Sequence, residues 1–89
     1  MSGRFAWSVA TPDGPVASGE SELLVVPTTG GELGVMTDHA ALVACVAPGD
    51  LRVTNPDSTV RTISVGSGVV DIRDNEVRLL VSSVQKPTA

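Results

Sequence analysis

The segment VPTTGGELGVMTDHAAL, residues 26–42, gathers three glycines, Glu32, Asp38 and the chain's single histidine, His39. Three kinds of chemistry use such residues: phosphate binding on a glycine loop, proton transfer by histidine, and polar contact with a partner. A phosphate loop needs Lys and Ser or Thr after its last glycine, with a helix behind it. Here Gly30-Gly31 is followed by Glu32, whose charge repels phosphate. A dinucleotide fingerprint fails as well, because the glycine spacing is wrong. The glycines therefore read as a tight turn that needs positive φ. A histidine base needs an orienting partner and a nucleophile or substrate proton. Asp38 adjoins His39, which on a strand aims it at the opposite face, and nothing near Thr37 completes a triad. One His and one Cys, Cys45, make no zinc ligand set. Glu20 and Glu22 share a strand face flanked by serines and read as solvated. The expectation is no catalytic residue, no metal and no cofactor, which leaves a surface for a partner.

Composition narrows the classes further. The 89 residues fit one small domain, and 42% hydrophobic content is too high for a disordered chain. Fifteen valines stand beside only two aromatics, Phe5 and Trp7, and no tyrosine. Valine is stiff at χ1 and suits a pleated, half-buried surface, so composition favours β-structure. A net charge of −4 with six scattered basic residues excludes a nucleic-acid binder, which needs a clustered basic face. Cys45 lies in the apolar run LVACVA and reads as a buried, inert thiol of a reducing compartment. No stretch has the length of a signal peptide's apolar core or a membrane span. A soluble, cytoplasmic protein is expected.

The elements that must position these residues are short and β-like. RFAWSVA places Phe5, Trp7 and Val9 on one face. TPDGP is a turn, and Val16–Val26 reads as an alternating run with Ser21, Leu23 and Val25 on one side. DHAALVACVA fits a short helix capped by Asp38 or a turn and strand; Val43, Cys45 and Val46 favour the strand. In the last hairpin, a type I′ turn at Asp74-Asn75 pairs Arg73 with Glu76, Asp71 with Arg78 and Val69 with Leu80. The opposite face then holds Ile72, Val77, Val70, Leu79, Gly68 and Val81, entirely apolar. The two opposite-charge pairs are each worth about 0.2–1 kcal/mol, and a one-residue slip destroys both patterns. Strands recurring at this spacing indicate a sandwich or barrel.

Motif order adds a resemblance. Thr11-Pro12-Asp13-Gly14-Pro15-Val16, Ser18-Gly19, Gly31-Glu32-Leu33-Gly34-Val35, His39-Ala40 and Pro48-Gly49 follow one another as in the amino-terminal domain of the epsilon subunit of bacterial F-type ATP synthase. SVGSGVVDIRDNEVRLLVSSV resembles that family's glycine-containing strand, hairpin and closing strand. The resemblance implies an all-β, flattened ten-stranded sandwich of two five-stranded sheets; residues 1–84 are assigned to it, with a frayed tail expected at 85–89 and, in departure from the family, no carboxy-terminal helical domain.

It also implies a non-catalytic rotor subunit of the central stalk. Its partners would be the gamma subunit and the polar loops of the membrane c-ring, and indirectly the alpha/beta hexamer, on the cytoplasmic face of the bacterial plasma membrane without insertion into it. Glu32, Asp38 and His39 are the implied c-ring and gamma contact loop; Leu42, Val43 and Ala44 are the implied gamma-facing patch. The alternative is a free-standing β-sandwich binding module, for which two aromatics make a poor carbohydrate platform. Many family members carry Pro-Gly-His-Ala-Pro where this chain has Thr37-Asp38-His39-Ala40-Ala41, so a looser contact loop is expected. Family members usually continue into a helical hairpin that binds ATP and restrains hydrolysis. Were Ala89 the natural end, the expectation is a subunit that couples without that brake.

Overall fold

A computed structural model describes residues 3–85. Ten strands and no helix fill them: β1 Phe5–Thr11, β2 Gly14–Ser21, β3 Leu23–Thr28, β4 Gly31–Val35, β5 Leu42–Val46, β6 Gly49–Thr54, β7 Val60–Val65, β8 Gly68–Arg73, β9 Glu76–Val81 and β10 Val84–Gln85. The period-2 reading of β1 holds, with Phe5, Trp7 and Val9 buried and Ala6 exposed between them. The turns carry the residues that positive φ demands, Gly14 at 122° and Gly31 at 115°.

Hydrogen bonding follows the path β10-β7-β6-β3-β5-β8-β9-β1-β2, with β4 on the other edge of β3. The join between β3 and β5 is a single pairing, Thr28 with Val46. Flanking it, Ala47 donates to Pro27 O at 3.0 Å and Thr29 to Cys45 O at 3.1 Å. That narrow join divides the path into two five-stranded halves, β4-β3-β6-β7-β10 and β5-β8-β9-β1-β2. These are the two layers of a β-sandwich of 35 × 30 × 24 Å. Leu24 and Leu51 from one layer and Ile72 and Leu79 from the other are almost fully buried in one apolar core. Burying each such side chain contributes about 1.5–3 kcal/mol. The last long strand returns to the first: β9 lies parallel to β1, from Ala6 with Glu76 to Ala10 with Leu80.

The β8–β9 hairpin has the expected register, from Arg73 with Glu76 to Gly68 with Val81. Asp74 and Asn75 both take positive φ, 50° and 58°, as a type I′ turn requires. Its charges pair differently from expectation. Arg73 meets Asp71 at 3.5 Å and Arg78 meets Glu76 at 2.7 Å, each along one strand and not across the pair. All four side chains are substantially exposed, so the exchange costs little stability.

Three other expectations are corrected. The run Val16–Val26 is not continuous: the chain breaks at Glu22, and the buried residues beyond it are Leu24 and Val26, not Leu23 and Val25. Ser21 causes the change of phase. Its buried Oγ lies 2.8 Å from the carbonyl oxygens of Leu23 and Thr54 and accepts the Leu23 N–H at 3.1 Å, which turns the chain from one layer into the other. Cys45 is exposed, because Ala44 and Val46 take the inward positions of β5. Gln85 belongs to β10, paired with Ser64; the remainder of the expected tail, 86–89, lies outside the described residues.

Candidate functional site

The His39 segment leaves β4 through a turn that His39 N–H closes on Met36 O at 3.3 Å. Asp38 occupies its third position at φ 64°, where a type II turn favours Gly or Asn. A compensating contact holds it there. The Asp38 N–H donates to Asn75 Oδ1 at 2.7 Å, and Asn75 Nδ2 donates to Asp38 Oδ1 at 3.1 Å. Asn75 is fixed by the β8–β9 turn, and its carbonyl accepts the Ala6 N–H at 3.0 Å. Gly3 closes the other side so tightly that a Cβ there would overlap the Thr37 side chain. The segment is thus pinned from two directions, against the looser loop expected from the missing prolines. The His39 Nδ1 lies 2.7 Å from Ala40 O, a bond to its own neighbour that orients the ring without activating it.

Glu32 does not join this cluster. It pairs with Pro27 near the Thr28–Gly31 turn, while the 37–41 segment follows the far end of β4. From Glu32 to Val35 alone the strand advances about 10 Å. Glu32 instead reaches across β3 to Arg52, with Nη2–Oε2 at 3.0 Å and both side chains about half exposed. The expected single contact loop is therefore two places at opposite ends of the sandwich: Glu32 at one, Asp38 and His39 at the other.

The pleat also divides Leu42, Val43 and Ala44. Ala44 packs against the core and Leu42, on the same side, is 37% exposed, whereas Val43 points outward at 64%. Outward from β5 the ladder builds a surface that the sequence reading missed. Cys45 pairs with Val69, Val69 with Leu80, Leu80 with Ala10, and Ala10 with Pro15. These five residues form an apolar row across all five strands of one layer. Val69 is 44% and Leu80 65% exposed. A groove of about 310 Å³ lined by Ala10, Thr11, Pro12, Leu80, Val81 and Ser82 lies at its edge. The signal was present in the hairpin register, where Val69 opposite Leu80 sat on the face otherwise given to charges.

Among the described residues, no group of three or more His, Cys, Asp or Glu is placed to hold a metal ion. Nor is any helix long and apolar enough to cross a membrane. The surface offers adhesion and hydrogen bonding, with no assembled nucleophile and base.

Residues 4–87 match the family model of the ATP synthase delta/epsilon chain β-sandwich domain. The chain belongs to this family. The ATP synthase epsilon chain of Persephonella marina is 40% identical over 77 residues, which are 86% of this chain and 57% of that protein. That of Shouchella clausii is 39% identical over 80 residues, 90% of this chain and 59% of the relative. This family member thus spans somewhat over half the length of the curated relatives it matches. Its fold is also that of a chain in the Euglena gracilis mitochondrial ATP synthase OSCP/F1/c-ring structure, with TM-score 0.83, 20% identity and coverage of 89% of this chain and 51% of the other. A chain of the Tetrahymena thermophila mitochondrial ATP synthase central stalk and c-ring gives TM-score 0.73 at 16% identity, covering 90% and 64%. At those identities the likeness establishes the shared fold.

Proposed function

We propose that this chain is a non-catalytic rotor component of the central stalk of an F-type ATP synthase. In this reading it links the gamma subunit to the c-ring, so that proton-driven rotation reaches the alpha/beta hexamer as torque, and it works at the cytoplasmic face of a bacterial membrane. Membership in the epsilon-chain family supports the complex. The observation that carries the reading is the apolar row Cys45–Val69–Leu80–Ala10–Pro15 on one outer face. Exposed apolar residues gathered in one contiguous row mark an interaction surface. Gamma is its occupant here, with Val43 at the margin of the contact. The end that carries the Thr28–Gly31 turn and Glu32 rests on the c-ring loops. Charges at such a rim set register and encounter more than affinity.

The test is co-purification with a gamma subunit. Leu80→Glu and Val69→Glu each place a charge in the centre of the row and are expected to weaken gamma binding at least tenfold, the scale of one buried apolar side chain. The β-sheet circular dichroism should stay as in the wild type, since both side chains face outward. Unchanged binding by both variants moves gamma to another face. A wild-type chain that never co-elutes with gamma returns the molecule to the free-standing module.

A further inference from the structure

The contact between Asp38 and Asn75 joins two segments 37 positions apart in the chain and is reciprocal, one bond in each direction. Ordinary turn chemistry explains neither half. A type I′ turn asks of Asn75 only its positive φ, which Gly supplies equally well. The amide side chain is free for another task, and it spends both its acceptor and a donor on the His39 segment. That segment leads directly into Leu42 and Val43, whose neighbours Ala41, Asp71, Ile72, Arg73 and Asp74 line a groove of about 400 Å³ with them. One wall of the groove is the chain leaving the His39 turn and the other is the β8–β9 hairpin. The Asp38–Asn75 bonds tie those two walls together.

We infer that Asn75 is a positioning residue of the partner surface: by clamping Asp38 it extends the β5–β8 join, which already holds Leu42 and Val43, to the His39 turn and fixes that turn against the hairpin for contact with gamma. This rests on the reading that the outer face of this layer takes gamma. The clamp itself is a property of the free chain. Asp38 contributes a carboxylate oxygen as acceptor and a backbone N–H as donor, so a second carboxylate at position 75 faces a like charge. An amide at 38 opposite a carboxylate at 75 restores both bonds: the backbone N–H of residue 38 still donates to an oxygen at 75, and the side-chain bond re-forms with donor and acceptor exchanged.

The experiment is a four-variant set on the full chain: Asn75→Gly, Asn75→Asp, Asp38→Asn, and Asp38→Asn with Asn75→Asp. Two readouts run in parallel, amide exchange at residues 38–40 of the free chain and affinity for an isolated gamma subunit. Asn75→Gly keeps the turn and removes the clamp. It should speed Asp38 amide exchange and weaken gamma binding, each about tenfold, the scale of one or two lost hydrogen bonds. Asn75→Asp should do the same or more. Asp38→Asn should remain within about twofold of wild type, because two amides still pair. The double variant should recover to about the same level, which a merely structural role for position 75 does not allow. Unchanged exchange in Asn75→Gly overturns the clamp. Faster exchange with unaltered gamma affinity overturns the positioning role, and so does a double variant as weak as Asn75→Asp. If the wild-type chain does not bind gamma, the stalk reading falls, and the exchange pattern of the four variants still decides the clamp.

Discussion

Ser21 shows how much a single hydroxyl decides. It is the one buried polar residue among the described positions, 0% exposed, and sits where the chain passes from one layer to the other. Unbroken alternation from Ser21 would set Leu23 and Val25 inward. The hydroxyl instead binds the carbonyls of Leu23 and Thr54 and moves the interior phase to Leu24 and Val26. Ser21→Ala is expected to cost about 1–3 kcal/mol, the scale of leaving a buried polar group without its partner. Urea unfolding followed by circular dichroism measures it as a lower midpoint at unchanged slope. The sequence reading set Ser21 on one side with Leu23 and Val25 and missed the change of phase that it makes; only the Thr54 carbonyl, 33 positions away, reveals it.

At the scale of elements, legibility tracked how local the determinants were. The β8–β9 hairpin was readable to the residue because its turn chemistry and its two faces all lie within fourteen positions. Its ion pairs were not, since flexible Arg side chains choose between partners along and across the strand at little cost. Cys45 was misjudged for another reason. An uninterrupted apolar run has no phase of its own, and only pairing with β8 assigns Ala44 and Val46 inward. Glu32 was grouped with His39 by the family resemblance, whereas the extended strand β4 carries the two apart. Gly68 tests the hairpin's packing, with Gly34 of β4 as its contrast. A Cβ at Gly68 would overlap the Leu80 carbonyl and approach Val81 Cα to 2.7 Å, backbone that cannot step aside. At Gly34 it meets nothing within 4 Å. Gly68→Ala should lose several kcal/mol, beyond the ordinary range for point changes. Gly34→Ala should be neutral or stabilise by up to about 1 kcal/mol through the unfolded chain. Thermal melts of the two variants side by side distinguish them.

For the molecule as a whole, the proposed stalk reading separates duties by geometry: an apolar face to adhere, an end to abut, and a core that holds both. Cys45 is a ready reporter of the adhesive side, being exposed and set in the apolar row. A thiol reagent should modify it promptly in the free chain and at least tenfold more slowly in a complex with gamma. Equal rates in both states place gamma elsewhere. The architecture was legible from valine content, turn spacing and motif order together, because a two-layer β-fold needs little more than alternation and punctuation. The row across five strands was not, because it exists only once non-consecutive strands lie side by side.

The parallel seam between β1 and β9 also bears on biosynthesis. Sixty-five positions separate Thr11 from Glu76, about 3–13 s of translation at 5–20 residues per second. Throughout that interval β1, which carries Phe5, Trp7 and Val9, lacks the β9 partner that closes its own layer. Joining the first strand to the ninth is thus a non-local step, of the kind that slows folding relative to a chain of local hairpins.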